Sequence, residues 1–232
     1  MKFKLPHPIL DEKMRKAASR EVRRQKIYVA KASAKHLKEI AAVTKAIEKD
    51  GLPKNLVLRK LPGALGHGIF LHPKAEPILR GQVIGPYSGE VSFVSQDEAD
   101  DSPYAFELLG DVLLTKSEQI HFDPNHRYEA KRKYSMLVDA LKKGNFIRFI
   151  NHSEKPNIIA NFFKIPSNSY GLATLPIEVI YMAKKKILPG EQLLVSYEGD
   201  DKSYWSALEI QPVPITPQTF RLNSSLKVYT RD

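Results

Sequence analysis

The chain has 232 residues, 42% of them hydrophobic, with 10 Tyr and 10 Phe, enough for one large domain or for a domain plus an extension. Zero cysteines exclude disulfides and any cysteine-based zinc site, and no apolar run approaches a membrane span or the core of a signal peptide. The net charge of +10 sits at one end: residues 1–60 hold 17 Lys and Arg against 6 Asp and Glu, whereas the remaining 172 hold 19 against 20. A basic arm that meets something acidic, joined to a near-neutral body, is the expectation, in a soluble protein of the cytoplasm or nucleus.

Residues 11–50 contain no Pro or Gly and are rich in Ala, Lys, Arg and Glu. Val22, Tyr28 and Val29, then Leu37, Ile40, Ala41, Val43, Ala46 and Ile47, predict amphipathic helix in two pieces, ended by Gly51 and Pro53. From Leu56 the texture changes to short β-like runs between Gly and Pro: NLVLRKL, GIFLH, QVIGPYSGEV, YAFELLG, NFIRFI, NIIANFFKI, EVIYMAKKKI and EQLLVSY. Strands of this length predict an α+β, mostly β, domain of several small sheets. The tail is Pro-rich and then polar, as an extended segment draped over the body would be. The division is therefore a basic helical extension at 1–55, a domain at 56–206 and a tail at 207–232.

Residues 149–157, FINHSEKPN, leave an apolar run for a polar corner. Asn151-His152-Ser153 fits a glycosylation sequon, but that modification needs a secretory route that nothing else here supports. Gly66-His67-Gly68-Ile69-Phe70 is by itself a tight turn before a strand, and it lacks the third glycine of a dinucleotide fingerprint. Pro86-Tyr87-Ser88-Gly89-Glu90 comes next, and Gly190-Glu191-Gln192-Leu193-Leu194-Val195-Ser196-Tyr197 closes the series. Between them lie Tyr104-Ala105-Phe106-Glu107-Leu108, Val138-Asp139-Ala140, Gly144-Asn145 and Arg148-Phe149-Ile150. In this order, over residues 56–206, these motifs resemble those of the SET-domain protein lysine methyltransferases.

That resemblance implies a SET fold in which the last strand threads beneath the Asn-His loop as a pseudoknot, against the usual rule for connections. It implies S-adenosylmethionine as cofactor, bound by Asn151 and His152, by Leu65, Gly66, His67 and Gly68 at the Gly-x-Gly, and by Tyr104. Glycines there would let the backbone approach the ligand closely. Tyr197 matches the catalytic tyrosine and Tyr87 the one lining the lysine channel. Taken singly, each tyrosine is equally a packed strand residue and His152 a buried structural histidine. The implied substrate is a protein with an exposed lysine, a histone or histone-like basic protein first and a non-histone protein second. A catalytically idle chromatin-interaction module is the rival from another class.

Two departures matter. Many members have a cysteine after Asn-His-Ser and a zinc-bound segment beyond; here that position is Glu154, so another wall is needed, and Tyr204-Trp205 is the candidate, with Trp205 counted among the cofactor-site residues. Val195 stands where many members carry Phe or Tyr, which leaves the degree of methylation open. For the basic residues 1–60 the alternatives are a solvated helical face, a sequence-independent contact to nucleic acid, or lysines that are themselves substrates.

Overall fold

The computed structural model describes residues 12–61, 66–98, 102–165 and 175–197. Helix α1 (Glu12–Arg24) buries Met14, Ala17, Ala18 and Glu21, a spacing of i, i+3, i+4, i+7 that gives one inward face. Glu21 can be buried because its carboxylate takes Arg20 at 3.1 Å, Arg24 at 2.7 Å and the Leu113 N–H at 3.2 Å. The chain then turns through Lys26, at φ 54°, into a two-residue strand β1 (Ala30–Lys31). Ser33 caps helix α2 (Ala34–Asp50) by accepting from the His36 N–H, and Gly51, at φ 74°, ends it with its N–H on the Ile47 carbonyl. Two helical pieces form as the sequence predicted, but Tyr28 and Val29, expected on the helical face, fall in the connection between them; Met14, Ala17, Ala18 and Ile47 belong to the main core of the body.

The rest is mostly strand. Strands β2 (Leu56–Lys60) and β3 (His67–Leu71) form an antiparallel pair. After β4 (Val83–Pro86), strands β5 (Glu90–Ser95), β6 (Ala105–Leu113) and β7 (Lys133–Asp139) make a three-stranded sheet in the order β5-β7-β6. Helix α3 (Lys116–Phe122) lies between β6 and β7, its start fixed by a capping box of Thr115 and Glu118. Glu118 also holds the Arg20 guanidinium at 2.7 and 2.9 Å, which ties α1 to the body. Strands β9 (Ile158–Lys164) and β10 (Glu178–Ala183) complete a second sheet, ordered β1-β9-β10-β4. One face of this sheet packs Ile180, Met182 and Phe163 against Ile40 and Leu37 of α2. The other turns Val179, Tyr181 and Ala183 into the main core.

One expected strand is something else. NFIRFI forms a tight 3-10 turn over Phe146–Phe149, because the buried Asn145 side chain accepts from the Ile147 N–H at 3.0 Å and closes the backbone there. Phe146, Ile147 and Ile150 are buried together, and the Ile150 N–H returns to the Ile147 carbonyl at 2.9 Å, the bond of a 3-10 turn. The turn delivers β8 (Asn151–His152), which pairs in parallel with β11 (Leu194–Val195).

At the start of β10 the Glu178 carboxylate is enclosed although the residue keeps some exposed surface. Burial pushes it up to about 7, against the pull of the Leu175 N–H that it accepts at 2.8 Å. The folded state therefore holds this proton more tightly than the unfolded chain does. Stability should fall as pH rises through the window from the ordinary carboxylate range to about 7. Glu178→Gln keeps the oxygen acceptor and removes the charge. Above pH 7 it should be more stable than the parent by about 1–3 kcal/mol, with a flatter pH profile. Urea melts of both proteins at pH 5 and pH 8 measure this; parallel profiles would refute it.

Candidate active site

The crossing of β8 and β11 organises everything around it. Beyond the two paired residues, the Ser153 N–H donates to the Val195 carbonyl at 2.9 Å and the Asn157 N–H to the Leu194 carbonyl at 3.0 Å. Asn157 is buried and uses both ends of its amide, donating to the Gln192 carbonyl and accepting from the Leu194 N–H, each at 2.8 Å. The polar corner of FINHSEKPN is thus polar because it satisfies the backbone of a strand buried beneath it.

Four separate stretches of sequence meet here. Asn151 donates its side-chain amide to the His67 carbonyl at 2.8 Å, which fastens the Asn-His loop to the Gly-x-Gly strand. Gly66 lies at φ 67°, and among the described residues nothing comes within 4 Å of where a Cβ would stand. At Gly68 a Cβ would come 2.8 Å from Gln192 Nε2 and 3.4 Å from Asn151 Nδ2, so a bare backbone lets β3 lie against the crossing. The second motif is held by Asn145, whose amide donates to the Pro86 carbonyl at 2.7 Å. In it, Gly89 abuts the Asp139 carbonyl so closely that no Cβ fits.

His152 is buried and its ring turns inward. Nδ1 accepts from the Tyr197 N–H at 3.0 Å, so the proton sits on Nε2, which faces Glu154 Oε1 at 3.4 Å. The ring centroid is 5.5 Å from that of Tyr197. His152 therefore positions Tyr197. The Tyr197 hydroxyl donates to the Ile150 carbonyl at 3.0 Å, and the Tyr87 hydroxyl donates to the Tyr104 carbonyl at 2.7 Å. Each phenol thus commits its proton to a main-chain carbonyl.

Two further groupings emerge around the motif residues. The Arg148 guanidinium lies 4.8 Å from the ring of Phe149 and 5.8 Å from that of Tyr104, and Phe149 meets His67 edge-on at 5.7 Å. Beside it runs a file of aromatic rings: Phe162 to Phe106 at 5.9 Å, Phe106 to Tyr87 at 5.6 Å, and Tyr87 to Tyr181 at 5.9 Å. It leads from Phe162, 42% exposed, to Tyr181, 3% exposed. Leu65 and Trp205, also expected at the site, lie outside the described residues.

A family profile described as "SET domain" matches residues 73–198, more than half of the chain. The chain belongs to the SET-domain family. Curated relatives include a Schizosaccharomyces pombe protein named "Histone-lysine N-methyltransferase, H3 lysine-4 specific". It is 29% identical over 130 residues, covering 55% of this chain and 11% of that protein. The Oryza sativa histone-lysine N-methyltransferase EZ1 is 27% identical over 139 residues, covering 60% and 12%. The chain thus spans only about a tenth of these relatives' length. Among solved structures, the ATXR5 SET domain in complex with a dimethylated histone H3 aligns with a TM-score of 0.54 at 21% identity, covering 80% of this chain and 75% of that one. The SET fold is therefore common to both, and no described helix is long and apolar enough to cross a membrane.

Proposed function

We propose that this SET domain transfers a methyl group from S-adenosylmethionine to a lysine side chain of a protein. The observation that carries the reading is a pair of tyrosines, Tyr197 and Tyr87, each fixed by its hydroxyl on a main-chain carbonyl and both packed against the main core, beside a file of aromatic rings running inward from the surface. An aromatic passage suits a lysine stem and disfavours the charged ammonium, whose ordinary pKa of about 10.4 must be overcome before the amine can act as a nucleophile.

The residues present fit the cofactor. The Gly66 backbone, with no described residue within 4 Å of a Cβ position, and the Phe149 and Tyr104 rings beside the Arg148 guanidinium suit a ligand with a flat base and an amino-acid end. Arg148 brings a cation, and its Nε is buried without a partner among the described residues. Gly66, His67, Gly68, Asn151, Arg148 and Tyr104 would hold the cofactor, with Leu65, Trp205 and His152 included on the resemblance alone, the His152 ring itself being engaged by the Tyr197 N–H. When bound, it supplies a methyl group on a sulfonium, and the electron pair of the broken carbon–sulfur bond stays with sulfur. Tyr197 directs its oxygen lone pair at the incoming amine and the partly positive methyl, Tyr87 holds the lysine stem, and the amine's proton leaves to water. Fixed orientation of this kind is worth several kcal/mol of barrier.

A histone or similarly basic protein is the favoured substrate, in a nuclear or cytosolic setting; the names of the curated relatives support it. Incubating the protein with S-adenosylmethionine and core histones, then mapping methyl-lysine by mass spectrometry, tests the activity. No methyl-lysine on histones or on whole-cell extract would overturn the reading.

The basic arm is proposed to touch nucleic acid, with α2 as the contact. Arg20 and Arg24 are committed to the body, through Glu118 and the Leu113 and Asp111 carbonyls. Lys35, Lys38, Lys45 and Lys49, by contrast, are exposed along one face of α2 at a spacing of i, i+3, i+10, i+14. They span about 21 Å, on the scale of several phosphates of one strand. Changing all four to Glu should weaken binding to a short DNA duplex at low salt at least about tenfold and flatten its salt dependence. Equal binding by both proteins would assign the stripe to solvent.

A further inference from the structure

One face of α1 is not used by the core. Beside the inward stripe of Met14, Ala17, Ala18 and Glu21, a second stripe of Glu12, Lys16, Ser19 and Arg23 follows i, i+4, i+7 and i+11 and lines a groove of about 730 Å³. The facing wall comes from the chain as it leaves the helix. With Lys26 at φ 54°, its N–H donates to the Arg23 carbonyl at 3.2 Å and the Ile27 N–H donates to the Val22 carbonyl at 3.0 Å. These are the paired bonds of a Schellman turn, and they fold Ile27, Tyr28 and Val29 back beside α1. Val22 and Val29 pack against the main core and Leu175, which also lines the groove, belongs to it, so the apolar wall is held by the body. The Tyr28 ring stands at the edge, 91% exposed. An apolar surface rimmed by charge in this way marks a contact site.

The charge is one-sided. Arg15, Lys16, Arg23 and Lys164 line the groove against a single carboxylate, Glu12, which Arg15 holds at 2.6 Å and Lys16 at 3.7 Å. The exposed Arg23 and Lys164 side chains make no ion pair among the described residues. The neighbouring stretches 1–11 and 166–174 have Lys2, Lys4 and Asp11 as their only charged residues, so neither supplies the missing carboxylates. A basic substrate is repelled here. Nucleic acid would meet the cations, but the aliphatic wall offers it no ring on which to stack a base beyond Tyr28. We infer that the groove binds an extended acidic segment of a partner protein, its carboxylates on Arg23 and Lys164 and an apolar side chain against Val22, Val29 and Tyr28. From Glu12 to Arg23 the helix rises about 16 Å, which about five extended residues span. The inference goes beyond methyl transfer, since no residue of the groove belongs to the proposed cofactor or lysine site, and its failure leaves that reading standing.

Fluorescence anisotropy on the full chain, with a short labelled peptide in which Glu and Leu alternate, is the test. Wild type should bind this peptide at low salt, lose affinity as salt is raised, and bind the counterpart with Gln for Glu at least about tenfold more weakly. Arg23→Glu combined with Lys164→Glu should weaken binding at least about tenfold. Tyr28→Ser removes only an exposed ring, so the melting temperature should hold while affinity falls about threefold. No binding by wild type would overturn the inference, as would equal binding by the charge-reversed protein. Binding of single-stranded oligothymidine in place of the peptide, lost on reversing Arg23 and Lys164, would make the groove a nucleic-acid site and overturn it as well.

Discussion

Tyr197→Phe should lower methyl transfer by about a hundred- to a thousandfold while leaving the fold intact. Only the oxygen changes. The ring stays against His152 at 5.5 Å, and the main-chain bond from Tyr197 to His152 Nδ1 does not involve the side chain. What is lost is a phenolic oxygen whose proton is pinned on the Ile150 carbonyl and which, in the proposed mechanism, is oriented toward the amine in advance. A preoriented group of this kind acts on the transition state far more than on binding, so the loss should fall on kcat rather than on KM. Single-turnover kinetics on core histones, with a thermal melt as control, measure both. Turnover within a few-fold of wild type would remove Tyr197 from the chemistry.

Tyr197 is singled out in the sequence because it ends a run, Gly190 to Tyr197, whose order relative to the Asn-His corner is distinctive; the structure brings that run against the corner. The helices at the N-terminus were legible for a different reason: a 3.6-residue periodicity bounded by a Gly-x-Pro stop needs no tertiary information. The short β-like runs also mapped well onto strands β2 to β6 and β9 to β11. Strand β7, KYSMLVD, and helix α3 were not picked out, although Thr115 and Glu118 are a readable capping box.

What sequence could not supply was which face of a strand turns inward. Phe106, Phe162 and Tyr181 stand in recognisable strands, but strand pattern alone makes each a packed aromatic. They become a file only because β9 and β10 pair Ala160 with Tyr181 and Val179 with Phe162, which sets both rings on the face away from α2. A slip of one residue would send the same rings to the other side. Arg20 and Arg24 make the same point about charge. The sequence counts them into a basic arm, whereas the structure spends them on Glu118, Glu21 and backbone carbonyls of the body.

Asn157→Ala should be among the most destabilising single changes in the domain and should also depress activity. In the sequence Asn157 is merely the second half of a Pro-Asn corner. In the fold it is buried and spans the crossing, holding the Gln192 carbonyl and the Leu194 N–H at once. Alanine would leave both backbone groups buried and unpaired, at about 1–3 kcal/mol each, so a total loss of about 2–6 kcal/mol is expected. The strand so released carries Tyr197 two residues beyond Val195, and the fall in turnover should exceed what the fraction unfolded accounts for. Asn157→Asp separates the two bonds. Its carboxylate still accepts from the Leu194 N–H but faces the Gln192 carbonyl with a second acceptor, so it should rescue stability only in part. Lys155→Ala, an exposed change on the same corner, should leave both quantities near wild type. Urea titration of the three variants decides the matter. If Asn157→Ala unfolds within about 0.5 kcal/mol of wild type, the pinning of the last strand does not depend on this side chain, and the corner is polar for some other reason.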